Sequence, residues 1–168
     1  MSFHGGFIGI VLGGWVAARL VKMPLLCLAD LFSIGAPLGF GLGRLANYIN
    51  GELWGRATTV SWGVVFPTAG SVLRHPSQLY EALLEGLVLL VVMILVARRR
   101  PPLPTGAQFG LLALLYGIFR IVVEFFREPD IQLGFLAGNW LTMGMLLSLP
   151  LVVAGVALIW RAYRQQAH

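Results

Sequence analysis

Long apolar runs constrain the fold of this 168-residue chain more than any other feature of its sequence. An α-helix needs roughly 20 apolar residues to cross a bilayer core of about 30 Å, and only helices and closed barrels satisfy their own backbone inside lipid. The runs therefore predict an all-α fold, a polytopic transmembrane bundle of about five spans, in a single domain over residues 1–168. The predicted spans are Gly5 to Val21, Leu25 to Tyr48, Leu79 to Ala97, Phe109 to Phe126 and Leu141 to Trp160.

The composition excludes a water-soluble domain. Hydrophobic residues make up 58% of the chain and charged residues 11%, with a mean hydropathy of +0.82, whereas soluble domains carry about 25% charged residues. Cys27 is the only cysteine, which excludes an intrachain disulfide, and the three scattered histidines form no metal-ligand cluster with it. The chain is therefore predicted to be a membrane protein without a metal site.

The basic residues indicate an orientation in the membrane. The net charge is +5, but the basic side chains gather at the ends of apolar runs and not among aromatic residues on a polar surface, so no nucleic-acid partner is expected. Seven of the twelve follow the first, third and fifth spans: Arg19, Lys22, Arg98 to Arg100, Arg161 and Arg164. Alternate span ends lie on one side, and the positive-inside rule makes that side, with the C-terminus, cytoplasmic.

Glycines recur every four residues in the first two spans. The two ladders are Gly5, Gly9 and Gly13, and Gly35, Gly39 and Gly43. Residues four apart share a helix face, and glycine allows helix backbones to approach closely, so each ladder is predicted to pack against a partner helix. The one long loop, Asn50 to Gln78, is predicted to form short extended segments outside the membrane.

Polar side chains interrupt the apolar pattern at the end of the second span, in GRLANYINGELWGR. Arg44, Asn47 and Tyr48 share a helix face, and an arginine inside a span costs about 2.5 to 3.5 kcal/mol unless a partner or a water-filled cavity offsets it. Snorkelling of Arg44 to the lipid headgroups is the simpler interpretation, whereas its neighbours Asn47 and Asn50 favour a functional site.

The fourth span carries a second polar face. Tyr116, Arg120 and Glu124 are four residues apart in YGIFRIVVEFFRE, which stacks a phenol, a guanidinium and a carboxylate along one face. A structural ion pair between Arg120 and Glu124 would explain two of them, although charged groups within spans more often mark functional sites. Two arginines from two helices around one cavity would suit a lipid phosphate, because guanidinium binds phosphate oxygens bidentately.

Two histidines are candidates for acid–base chemistry. His4, in FHGG at the mouth of the first span, is the candidate general base, although a lone histidine at a helix entrance is more often a bystander. His75, in RHPSQLYE, precedes the third span. There Pro76, Ser77 and Glu81 indicate the start of a helix.

Four motifs occur along most of the chain: MSFHGGFIG, GRLANYINGELWGR, RHPSQLYEALLEG and YGIFRIVVEFFREPD. In this order and at these spacings they resemble the prolipoprotein diacylglyceryl transferase family of bacterial inner membranes. The resemblance implies transfer of a diacylglyceryl group from phosphatidylglycerol to the lipobox cysteine thiol of a prolipoprotein, the first step of lipoprotein maturation. It implies membrane lipid and a lipobox peptide as partners, and no cofactor. The positive-inside orientation places Arg44 and Arg120 toward the outer leaflet.

The resemblance also assigns roles to individual residues. Arg44 and Arg120 resemble two essential arginines, and His4 resembles the histidine proposed as a base, so these three are the implied catalytic residues. The implied substrate-binding residues are Arg44, Asn47, Gly55, Tyr116, Arg120 and Glu124.

Members of the family carry further spans ahead of the HGG motif, so we expect the N-terminal spans of the family to be absent from this chain. The sequence leaves two alternatives to an active transferase open. One is a truncated transferase without activity, and the other is a non-catalytic membrane scaffold or transporter fragment whose Arg and Glu side chains only pair with each other. A transporter would be expected to show repeated halves or helices broken at the midplane, and no repeat is visible in the sequence.

Overall fold

A computed structural model describes residues 3–129 and 141–166, with side chains from residue 9 onward. Within these residues the chain forms long helices: α1 (Phe3–Leu20), α2 (Leu25–Ile49), α3 (Ser77–Ala97), α4 (Ala107–Glu124) and α5 (Met143–Gln166). Helices α2 to α5 are long and apolar enough to cross a membrane, and the described apolar part of α1, Gly9–Leu20, is shorter. The predicted all-α, polytopic bundle is confirmed.

The helices overlap the predicted spans closely, and α1 to α4 begin and end within two residues of the predicted bounds. Helix α5 differs, because it continues six residues past Trp160 to Gln166. Its last turns carry Arg161 and Arg164, which are too polar for the lipid core but keep helical backbone hydrogen bonds. Hydropathy therefore marks the end of the apolar span and not the end of the helix.

Helices α2 and α3 cross with their backbones in contact. A Cβ atom built on Gly86 would lie 2.6 Å from the Cα atom of Gly41, so there is no room for a side chain at Gly86. The contact lies within a π-helical segment of α3, Ala82–Val88, a feature often found at functional sites. It brings Arg44, about one turn beyond Gly41, to the level of the acidic residues of α3.

The glycine ladders do not make this contact, and their predicted packing against a partner helix stays a prediction, because no described residue covers them. A Cβ atom would have no neighbour within 4 Å at Gly9, Gly13, Gly35, Gly39 and Gly43. Gly41 lies two residues from the nearest ladder positions and therefore on a different helix face. A repeat of four residues identifies an open face, but the pattern alone does not show whether another helix covers it.

Helices α4 and α5 pack against each other through glycines. A Cβ atom on Gly155 would lie 2.6 Å from the carbonyl oxygen of Gly110, and one on Gly117 would lie 2.8 Å from a methyl group of Val152. This packing sets the rotation of α4 about its axis. Arg120 lies about one turn beyond Gly117, and its side chain reaches Glu81 of α3.

The loop between α2 and α3 folds over the C-terminal end of α4. Strands β1 (Val64–Val65) and β2 (Leu73–Arg74) pair antiparallel, which confirms the predicted short extended segments. Gly55 lies where the loop is tightest, because a Cβ atom there would be 2.5 Å from the carbonyl oxygen of His75 and 2.6 Å from that of Phe126. Any larger residue would push the loop off the helix end.

Asp30 of α2 holds the start of α4. Its Oδ2 atom accepts a hydrogen bond from the backbone nitrogen of Gly106 at 2.6 Å, and its Oδ1 atom accepts one from Phe109 at 2.8 Å. The first N–H groups of a helix have no partner within the helix, and a carboxylate beside them also compensates the helix dipole. Asp30 therefore anchors the N-terminal end of α4 to α2.

Replacing Asp30 should loosen this end of the bundle. We expect Asp30→Ala to lower the free energy of unfolding by about 1 to 2 kcal/mol, the usual cost of losing a helix cap. Asp30→Asn keeps one acceptor oxygen and should lose less. Thermal unfolding in detergent micelles, followed by circular dichroism, measures both, and an Asp30→Ala variant that melts with the wild type would contradict this role.

Candidate functional site

A cluster of charged side chains joins three helices at the level of the α2–α3 crossing. Arg44 comes from α2, Glu81 and Glu85 from α3, and Arg120 and Glu124 from α4. Glu81 is shared, because its Oε2 atom lies 2.8 Å from Nε of Arg44 and its Oε1 atom lies 2.5 Å from Nη1 of Arg120. One carboxylate therefore links the two arginines that the sequence singled out.

Glu124 closes the other side of the cluster. Its Oε2 atom lies 3.0 Å from Nη2 of Arg120, so the predicted pair four residues apart is present. Its Oε1 atom accepts a hydrogen bond of 3.0 Å from the hydroxyl of Thr142, just ahead of α5. Gly144 leaves room for this carboxylate, since a Cβ atom there would lie 2.6 Å from Oε1. Arg127 approaches Oε2 at 3.8 Å.

Most of these charges are removed from solvent. The relative exposure is 0% for Glu85, 1% for Glu81, 3% for Glu124 and 8% for Arg120. Burying one ion costs several kcal/mol, and the cost is met only where opposite charges and hydrogen bonds surround it. The three carboxylates face the three guanidinium groups of Arg44, Arg120 and Arg127. The cluster is therefore balanced in charge, and each member depends on the others.

An open cleft of about 300 Å³ lies beside the cluster. The residues that line it are Gly39, Phe40, Gly43, Arg44, Asn47, Glu85 and Tyr116. Gly39 and Gly43, from the ladder that no described residue covers, leave the α2 backbone open along one wall. On another side the rings of Phe40 and Tyr116 pack with their centroids 5.1 Å apart. The cleft thus combines one reachable guanidinium with apolar and backbone surfaces.

Some of the residues predicted for the site line the cleft, and others lie in the buried ion cluster. Arg44, Asn47 and Tyr116 line the cleft. Arg120 and Glu124 are buried in the ion cluster, outside the set of residues that line the cleft.

Two further predicted residues, Gly55 and Tyr48, are not among the described residues that line the cleft. Gly55 lies in the loop, where its backbone nitrogen donates to His75, and Tyr48 packs edge-on against Phe66 at 5.9 Å. The side chain of His4 lies outside the described residues.

Glu81 and Glu85 belong to the ion cluster, and the sequence interpretation did not identify them as candidate site residues. It assigned Glu81 to the start of a helix, and α3 does begin at Ser77. It did not predict that the side chain of Glu81 bridges two arginines. The available signal was the pair itself, since two carboxylates four residues apart in an apolar helix require cations from other helices.

Removing the shared carboxylate should destabilise the whole bundle. Glu81→Ala would leave Arg44 and Arg120 without their closest counter-charge, and breaking a buried ion pair typically costs about 3 to 5 kcal/mol. Glu128→Ala is the matched control, because the side chain of Glu128 is 43% exposed in its pair with Arg74, and such pairs contribute about 1 kcal/mol or less. Chemical unfolding in detergent compares the two variants, and equal losses would contradict the central place of Glu81.

The chain matches the family model described as prolipoprotein diacylglyceryl transferase over residues 1–161. Its relatives named phosphatidylglycerol–prolipoprotein diacylglyceryl transferase include that of Allorhizobium ampelinum, 55% identical over 165 residues, covering 98% of this chain and 58% of the relative. The Geobacter sulfurreducens protein is 53% identical over 158 residues, covering 94% of this chain and 60% of the relative.

The relative from Pseudomonas syringae pv. syringae is 48% identical over 168 residues, covering 98% of this chain and 62% of the relative. The chain thus spans about three fifths of the length of the curated relatives it matches. Because the family model covers nearly the whole chain, the resemblance carried by the four motifs is confirmed: the chain belongs to the prolipoprotein diacylglyceryl transferase family of multi-pass bacterial inner-membrane proteins.

Proposed function

We propose that this protein transfers a diacylglyceryl group from phosphatidylglycerol to the lipobox cysteine of prolipoproteins. The relatives are named for phosphatidylglycerol and prolipoproteins. The single observation that carries the proposal to this chain is Arg44, a guanidinium that lines an open cleft while its Nε edge faces two buried carboxylates. A cation held in this way at its Nε edge can bind a lipid phosphate through its terminal amino groups.

In the proposed reaction, the sulfur of the substrate cysteine attacks the glycerol carbon that carries the phosphate. The S–C bond forms as the C–O bond breaks, and the electron pair of the broken bond leaves with the phosphate oxygen of glycerol phosphate. The terminal amino groups of Arg44 stabilise that developing charge, because its ion pairs with Glu81 and Glu85 run through Nε. The thiol proton must pass to a base, and His4 is the residue that the resemblance suggests.

Arg120 has a different proposed role. It does not line the cleft, and its amino groups lie 2.5 Å from Glu81 and 3.0 Å from Glu124. In this arrangement it acts through Glu81 on Arg44, as a positioning residue and not as a second phosphate ligand. Asn47 and Tyr116, which line the cleft beside Arg44, are the proposed polar contacts for the lipid.

We also propose that the cleft faces the outer leaflet. Glu81 and Glu85 lie in the first turns of α3, whereas Arg98 to Arg100 follow its other end. Those arginines, together with the basic residues after α1 and in the last turns of α5, form the side that the positive-inside rule makes cytoplasmic. The charged cluster then lies in the opposite half of the membrane.

Substitution of Arg44 tests the proposed phosphate site. We expect Arg44→Ala to lower prolipoprotein lipidation by at least about 100-fold, the usual effect of removing one preorganised donor from a developing anion. Arg44→Lys keeps the charge without the planar fork and should restore only part of the activity. The measurement is lipidation of a prolipoprotein in a transferase-depleted bacterium that carries the gene in its full reading frame.

The control for this experiment is Arg164→Ala. Arg164 stacks on the ring of Trp160 at 4.2 Å near the far end of α5, away from the cleft. We expect this variant to retain lipidation within about threefold of the wild type, since exposed surface residues rarely matter more. Full lipidation by an Arg44→Ala protein that accumulates normally in the membrane would remove Arg44 from the proposed mechanism.

A further inference from the structure

Glu85 has an environment that its ion pairs do not explain. Its carboxylate is fully buried, and neither oxygen has a hydrogen-bond donor among the residues that the structure describes. Its distances to Nε of Arg44 and Nη1 of Arg120 are 3.6 and 3.9 Å, against 2.8 and 2.5 Å for Glu81. Glu85 thus adds to the charge balance, but its lone pairs are unused. A buried carboxylate that accepts no hydrogen bond is costly, so its place in the fold calls for an explanation.

The position of Glu85 identifies where a hydrogen-bond donor would come from. Glu85 is the one acidic residue among those that line the cleft, beside Arg44. A second anion would be repelled by the carboxylate, and a free cation would be repelled by the two guanidinium groups within 4 Å of it. A neutral hydroxyl meets neither obstacle, and it donates the hydrogen bond that a carboxylate accepts.

We propose that Glu85 recognises hydroxyl groups of the lipid headgroup. The inference rests on the proposed function, in which Arg44 binds the lipid phosphate. A glycerol headgroup carries its hydroxyls a few bonds from that phosphate, and Glu85 lies beside Arg44 in the cleft, 3.6 Å from Nε. Gly39 and Gly43 leave the adjoining wall of the cleft without side chains, which gives the headgroup access. Arg44 then selects a phosphate and Glu85 selects a hydroxylated headgroup.

The test compares two lipids of equal charge. Phosphatidylglycerol has two headgroup hydroxyls, whereas phosphatidylpropanol has none. Native mass spectrometry of the purified chain in detergent gives the dissociation constant for each lipid. We expect the wild type to bind phosphatidylglycerol at least about tenfold more tightly, as befits one hydrogen bond to a charged group. Glu85→Ala should bring this ratio close to one and leave phosphatidylpropanol binding within about threefold.

Further variants separate recognition from structure. Glu85→Gln has nearly the same shape and keeps one acceptor oxygen, so it should retain part of the preference even if Glu85→Ala unfolds. Glu81→Gln disturbs the support of Arg44 and should weaken both lipids equally, while Glu128→Gln, outside the cluster, should change neither. An unchanged preference for phosphatidylglycerol in Glu85→Ala and Glu85→Gln would overturn the inference.

The wild type alone distinguishes this inference from the function on which it rests. If it binds both lipids with equal affinity, the hydroxyl site is wrong and the phosphate site stands. If it binds neither lipid above diacylglycerol, which lacks a phosphate, the proposed phosphate site fails and the hydroxyl site fails with it. A preference for phosphatidylpropanol would also contradict the assignment of Glu85.

Discussion

The rest of the structure depends on one carboxylate shared between two arginines. Glu81 lies between Arg44 and Arg120 with less than 3 Å to each, so it holds α2, α3 and α4 at one level. In a low-dielectric interior none of these charges is tolerable alone. The gain comes only when all three helices are assembled, which makes the ion cluster a condition of the fold as well as the support of the cleft.

Glycine has two opposite uses on α2, and the difference explains why the cluster has an open cleft beside it. Gly41 brings the backbone of α3 into direct contact, which is what allows Glu81 and Glu85 to reach Arg44. Gly39 and Gly43 lie on another face, have no neighbour within 4 Å, and line the cleft. The same residue type therefore closes one side of the helix and opens the other.

The sequence predicted those features that depend on local spacing. The apolar runs predicted the helices, four-residue spacing predicted the pair of Arg120 and Glu124, and four motifs predicted the family. The pairing of Glu81 with arginines from two other helices was missed, because the partners are 37 and 39 residues away and no local pattern connects them. The place of Arg120 outside the cleft was missed for a related reason, since its partner Glu81 is also distant in the sequence.

The charge balance of the cluster affects the binding of the proposed anionic substrate and the release of its product. Three guanidinium groups already face three carboxylates, so a bound phosphate adds a negative charge that only a partly open ion pair accommodates. Arg44 is the member suited to this, because its side chain is 20% exposed, against 10% for Arg120 and 13% for Arg127. When glycerol phosphate leaves, Glu81 and Glu85 are again the counter-charges of Arg44. The carboxylates and the phosphate compete for Arg44. This competition limits how tightly the phosphate binds and also favours release of the product.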